Sequence, residues 1–423
     1  MKKLSILILV LFVCTAFAVP ALAKVKVGGR VDVDTMFIKN DEMFQRNAAA
    51  VNAFLNNEDA SRSWFAIDVP GSTRLYAKWT NDTGDVGMHI EIGLRGEEGG
   101  GERVNTRQAN GWWKINPMFK LTVGQQDEVI GPYRASQEMA THGYLANNNN
   151  NVMNHTGMRG FGNLGNDRKE AIRLDIKLGE KSDLTIAAFT PNANGAFGSW
   201  AAFDEENTLP RFDIVYSVSL GPVSLAPGFT WQKIQYEADP QSAPFTALFQ
   251  DEGDFDAWAF SIPVKFAAGG PVTLMAELNW GENLGNGNWN IGSYGYPAPN
   301  AGISPGAQFD RLPGTNTLVI ADTEFIGFVA DLAWKMHPIA TAHFIFGLQQ
   351  LTNDDRFLEA NRWENTRYAY GVSIPIKVAK GFTIRPEVFY YDYGEAEIGG
   401  IGDPANGVLG SQIVAGVQFR VQF

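Results

Sequence analysis

The stretch LGSQIVAGVQFRVQF, residues 409–423, alternates without a break to the last residue of the chain. Leu409, Ser411, Ile413, Ala415, Val417, Phe419, Val421 and Phe423 share one face, and Gly410, Gln412, Val414, Gly416, Gln418, Arg420 and Gln422 the other. A period of two marks a β-strand with one apolar and one mostly polar face. Such a strand fits a soluble sheet or a membrane barrel equally, and the rest of the chain has to decide between them.

Fifteen further runs with the same period precede it. They are Val25 to Phe37, Ser72 to Thr80, Asp85 to Arg95, Asn105 to Ile115, Phe119 to Asp127, Lys169 to Leu178, Asp183 to Thr190 and Thr208 to Leu220. Val223 to Gln235, Asp254 to Phe266, Val272 to Trp280, Thr323 to Met336, Ala340 to Leu351, Asn365 to Val378 and Phe382 to Asp392 follow. Sixteen is an even number, and most runs are long enough to cross a bilayer at a tilt.

The connections carry more information than the strands. Every second one is short and rich in turn-formers, such as Asn81-Asp82-Thr83-Gly84, Asn116-Pro117-Met118, Gly221-Pro222 and Ala379-Lys380-Gly381. The connections between these include long polar stretches: Lys39 to Gly71, Glu128 to Arg168, Tyr236 to Gly253 and Gly281 to Asp322. Short turns at one end and long loops at the other distinguish a membrane barrel, because a soluble sandwich has no reason to sort its loops by end. Aromatics agree: Trp79, Trp113, Trp334, Phe266, Phe382 and Phe423 fall near the turn ends, and Phe37, Trp280, Tyr368, Tyr370 and Tyr390 towards the loop ends. The fold expected is all-β, a transmembrane antiparallel up-and-down β-barrel of about sixteen strands, in one domain over 24–423.

Residues 1–23 read as a cleaved signal peptide. Lys2 and Lys3 precede an apolar run from Leu4 to Ala18, then Pro20 and the small-residue site Ala21-Leu22-Ala23. Cys14, the single cysteine, lies within that run, so the mature chain is expected to hold no disulfide and no thiolate site. Processing takes lysine plus arginine from 34 to 32 against 46 acids, a formal charge of −14. That balance excludes a nucleic-acid partner, which needs a basic face.

If the apolar faces meet lipid, the opposite faces line a lumen. They carry Lys26, Arg30, Asp32, Arg74, His89, Glu91 and Arg95 on the early strands, and Arg173, Arg211, Asp213, Glu277, Arg367, Arg385, Glu387 and Arg420 later. Charges at that density are costly in a dry core and inexpensive facing water. A sixteen-stranded barrel is also too wide for its own side chains to fill.

The terminal Phe423 resembles the closing residue of Gram-negative outer-membrane barrels, and the chain as a whole resembles the general porins. The resemblance lies in architecture along nearly the whole mature length. The familiar Pro-Glu-Phe-Gly-Gly loop motif is replaced by Gly131-Pro132-Tyr133 and a run of asparagines, Asn147 to Asn151. What it implies is an outer-membrane location, contact with outer-membrane lipid, a homotrimer, recognition of Phe423 by the assembly machinery, and a third loop around 128–168 folded into the barrel. By the same analogy, loop acids Asp127, Glu128 and Glu138 would face a basic wall of Arg30, Arg74 and Arg95, with Glu91, Arg173, Arg385 and Arg420 also lining the pore. Two readings of that wall stand: it sets a transverse field, or it pairs with neighbouring lumen acids.

The function expected is a porin, a water-filled channel for passive diffusion of small hydrophilic solutes and ions. The alternatives are a substrate-selective channel for a sugar or organic anion, with Tyr76, Phe389, Tyr391 and Tyr393 as a partial aromatic track, and a barrel serving as a structural or partner-binding scaffold. No enzyme, cofactor or metal is expected. Gly96 to Glu102 lacks the Lys-Ser/Thr of a phosphate loop, the five histidines have no metal-ligand spacing, and there is no G-x-S-x-G elbow.

Overall fold

The computed structural model describes residues 24–41, 63–70, 72–95, 103–131, 158, 160–164, 168–191, 203–205, 209–238, 253–285, 308–311, 318–353, 363–398 and 410–423. The signal-peptide reading of residues 1–23 lies outside them. Sixteen strands follow in chain order. The first seven are β1 (Lys24–Asn40), β2 (Ser63–Asp68 and Arg74–Thr80), β3 (Val86–Arg95), β4 (Arg103–Lys114), β5 (Phe119–Asp127), β6 (Arg168–Lys177) and β7 (Ser182–Phe189). Next come β8 (Phe203–Glu205 and Arg211–Leu220), β9 (Val223–Leu225 and Gly228–Ala238), β10 (Gly253–Phe266) and β11 (Val272–Glu282). The set ends with β12 (Glu324–His337), β13 (Ala340–Asn353), β14 (Trp363–Ser373 and Ile376–Ala379), β15 (Phe382–Asp392 and Ala396–Ile398) and β16 (Ser411–Gln422).

Each strand pairs antiparallel with the next. The last closes on the first, from Arg30↔Gln422 to Asn40↔Gln412, so the sheet has no free edge. Phe203–Glu205, against Tyr236–Ala238, and Ala396–Ile398, against Trp363–Asn365, add short strands in stretches read as connections, and two further connections differ more. Residues 39–71 contain strand, since Ser63–Asp68 extends the β1–β2 pairing above a break at 69–73. Residues 281–322 contain a small hairpin, Gln308–Arg311 against Leu318–Ala321, separate from the barrel. In both cases an ordered piece inside a long polar stretch is too short to show a period of its own.

The short turns are made by the residue types that predicted them. At 81–85 the Asn81 carbonyl accepts from Gly84 N at 3.0 Å, and its side chain accepts from Val86 N at 3.1 Å. Gly84 takes φ +73°, which a side chain would oppose. At 116–118 the Asn116 side chain accepts from both Met118 N and Phe119 N, an Asx turn.

The alternation divides outside from inside. Val27, Val31, Ile262, Leu278, Val388 and Ile413 are exposed on the outer face. The charges that face outward sit towards the loop ends, as Lys39, Glu170, Asp254, Glu282 and Asp392 do. At mid-bilayer an outward lysine or arginine would cost about 2–4 kcal/mol. Indoles mark the upper limit of the apolar belt. Trp231 and Trp258 are register partners, Trp280 packs edge-on to Trp258 at 5.1 Å, and Trp231 and Trp258 donate to Asp256 and Glu282. Trp113, Trp334, Phe266 and Phe423 mark the lower limit, so apolar ring and polar tip each find their own medium.

Candidate pore lining

Seen from the lumen, the upper half of the wall is a set of shared carboxylates. Asp32 on β1 is fully buried, takes Arg420 Nε at 2.7 Å and Arg30 Nε at 3.0 Å, and also accepts from the Ser72 hydroxyl. Arg30 donates in addition to the Ser72 carbonyl at 2.8 Å. Glu91 on β3 accepts from Arg107 Nε at 2.6 Å and Arg74 Nη1 at 3.0 Å. Asp127 joins Arg168 at 3.2 Å and Gln108 at 2.9 Å. Beneath the start of the third long connection, Glu128, Arg211 and Asp213 form a dry chain. Arg211 reaches Glu128 at 2.7 Å and Asp213 at 3.2 Å, Thr230 donates to Asp213 at 2.5 Å, and the guanidinium lies 4.7 Å from the Phe189 ring. All three ionic side chains have no solvent exposure, so each charge depends on its partners.

The far end of that connection lies against the inward faces of β11 to β15. Asn279 Nδ2 donates to the Gly162 carbonyl at 2.9 Å, and Gly162 N donates to Gln349 Oε1 at 3.4 Å. A Cβ at Gly162 would overlap the carbonyls of Leu348 and Phe328, and one at Gly347 would overlap Phe161 O. Gly162 also takes φ +96°, so backbone lies on backbone here and glycine is required twice over. Phe161 packs 5.2 Å from Tyr391 and 5.5 Å from Tyr393. With Met36, Ile38, Met158, Ile345, Phe389 and Val414 it forms an apolar cluster inside the barrel.

Of the residues read as pore-lining, Arg30, Arg74, Glu91, Asp127, Glu128 and Arg420 occupy these ion pairs. Arg173 pairs with Asp175 at 2.8 Å and Arg385 stands 4.0 Å from Glu387, away from the others. The Arg95 side chain and Glu138 lie outside the described residues. Phe423 is exposed, and its N–H and carbonyl each bond to Gly29 at 3.1 Å. The aromatic track divides: Tyr76 stays near the lumen surface, edge-on to His89, while Phe389 and Tyr391 are buried beneath Phe161 and are closed to a passing sugar.

Arg107 escaped the sequence reading. The pairing skips it, Glu91 matching Gln108 and Ile92 matching Thr106, and this bulge turns Arg107 inward. No strict alternation predicts that. Gly162 escaped as well, because one glycine among the 45 of the chain carries no signal.

No family model and no curated protein matches the chain. Solved structures do match. The outer membrane channel DcaP of Acinetobacter baumannii is 15% identical with a TM-score of 0.63, covering 96% of this chain and 99% of its own. An anion-selective porin from Comamonas acidovorans is 12% identical with a TM-score of 0.57, over 95% and 100%. OmpT, an outer membrane protein of Vibrio cholerae solved in a trimer form, is 10% identical with a TM-score of 0.53, over 95% and 99%. Over its described residues, this chain has the sixteen-strand barrel fold of the outer-membrane porins.

Proposed function

We propose that the protein is an outer-membrane porin, a water-filled channel through which small hydrophilic solutes and ions diffuse. The observation that carries this reading is the closed cylinder whose outer face is apolar between two aromatic belts and whose inner face is charged. Only a bilayer outside and water inside make both faces inexpensive. The short-turn end, with Lys24 and Phe423, is periplasmic on this reading. The described ends of the third loop, residues 128–131, 158 and 160–164, narrow the lumen, with the pairs around Glu91, Asp32 and Asp127 on the facing wall. The barrel associates as a homotrimer and does no covalent chemistry.

Purified, heat-modifiable barrel inserted in a planar bilayer should give stepwise ohmic conductance, and correctly folded protein that passes no current would overturn the proposal. Trimerisation is read separately, by native mass spectrometry of detergent-extracted protein, where a monomer at all detergent levels would remove that part alone.

A further inference from the structure

In the upper lumen Arg30, Arg74, Arg107, Arg168, Arg211 and Arg420 are paired with carboxylates, but the lysines at the opposite mouth are not. Lys26 on β1 faces Lys78 on β2 as its direct register partner, and Lys114 on β4 faces Lys120 on β5 in the same way. Both pairs point inward, within a few residues of the short turns. Like charges directly opposite each other across a sheet are destabilising. The ring continues with Lys177 on β6, Lys265 on β10, Lys335 on β12 and Lys377 on β14, each at the same end of its strand and on the inward face. Six of the eight are exposed, and Lys120 and Lys265 are half-buried, Lys120 lying 5.6 Å from the Trp112 ring.

Among the described residues none of the eight forms an ion pair. The acids at this level are Asp175, the register partner of Lys120, which Arg173 engages at 2.8 Å, Asp183, the register partner of Lys177, and Asp85, whose carbonyl accepts from Lys114 N at 2.7 Å. The eight lysines outnumber these acids, so this mouth carries a net positive charge, although the chain as a whole carries a formal charge of −12. The fields of neighbouring lysines overlap across it, since screening acts over about 10 Å at 0.1 M salt. Low-dielectric walls around an aqueous opening focus such a field and raise the local concentration of counter-ions.

We propose that the short-turn mouth is an anion-gathering vestibule, and that its unpaired lysines set a preference for solutes carrying carboxylate, phosphate or sulfate groups. The arginines higher up are partly neutralised by the carboxylates they pair with. The inference rests on the porin reading, and the test separates the two.

Single channels in a planar bilayer under a KCl gradient should show a reversal potential of the sign for chloride preference, fading as total salt rises. Replacing Lys26, Lys78, Lys265 and Lys335 together by Gln should leave an open channel and move that potential towards zero. To keep the test independent of how the four-fold variant folds, the same shift is to be sought in wild-type channels already open in the bilayer, after a membrane-impermeant amine-acetylating reagent is added on the short-turn side. A wild-type channel without anion preference, or one whose reversal potential neither treatment moves, overturns the inference while the persisting current leaves the porin reading intact. Absence of any current overturns both.

Discussion

At the scale of single residues, burial decides which charges matter. Arg211 is enclosed by Glu128 and Asp213 with no solvent contact, so Arg211→Ala removes the guanidinium that two carboxylates share in a dry site, with Lys169 remaining 3.8 Å from Glu128. Losing one member of such a set costs about 3–5 kcal/mol. Arg173 and Asp175 are about a quarter to a third exposed, and Arg173→Ala should cost no more than about 1 kcal/mol. Urea midpoints of the two folded variants check the contrast, and equal midpoints would refute it. Phe423 poses a different question. Its ring lies at the membrane boundary, where a charge costs only about 0–1 kcal/mol, so Phe423→Glu should barely alter the finished barrel. The expected effect is a lower yield of heat-modifiable barrel in the outer-membrane fraction, with normal conductance per folded molecule. Unchanged yield would show that the terminal ring has no part in assembly.

At the scale of elements, the strands were legible and their exceptions were not. Phe119 to Asp127 was bounded to the residue, because period two and flanking turn-formers agree there. Arg107 was missed because one bulge reverses the alternation on which the reading depends. The inward fold of the third loop is expected from the resemblance, but its contact at 158 and 160–164 is not located, for a related reason: close backbone approach is permitted by the absence of side chains, and absence leaves no pattern. That attachment can be broken selectively. Gly162→Val should detach the segment, raising its susceptibility to limited proteolysis and the single-channel conductance, while barrel strands remain paired by circular dichroism. Conductance and cleavage unchanged from wild type would mean that the wall yields to the added methyls.

For the whole molecule, the sorting of loops by end revealed the architecture without any motif, because topology in a membrane is dictated by unpaired backbone groups. Charge distribution was only half visible. Total composition is acidic, and the basic character of one mouth emerges when inward residues near the short turns are grouped by level, which requires register as well as parity. Pairing is one of the two readings that the sequence leaves open, and the fold supplies the partners: Arg30 and Arg74 are engaged by Asp32 and Glu91.

The glycine knuckle at Gly162 makes the inside of this cylinder two materials. Along β12 to β15, where Met158 and Phe161 lie on Ile345, Phe389 and Tyr391, the wall is lined like the interior of a soluble domain. Along β2 to β6 it is a wetted surface, with Arg74, Asp127, Arg168 and Arg173 all partly exposed. A substitution scan of inward positions should therefore separate into two populations. Polar replacements at Ile345 or Phe389 should lower the melting temperature with little change in current through surviving channels. Replacements at Arg74 or Arg173 should alter the current while the melting temperature hardly moves. Such a division would mean that one half of the tube is inherited as a core and the other as a shoreline, each free to drift only in its own way.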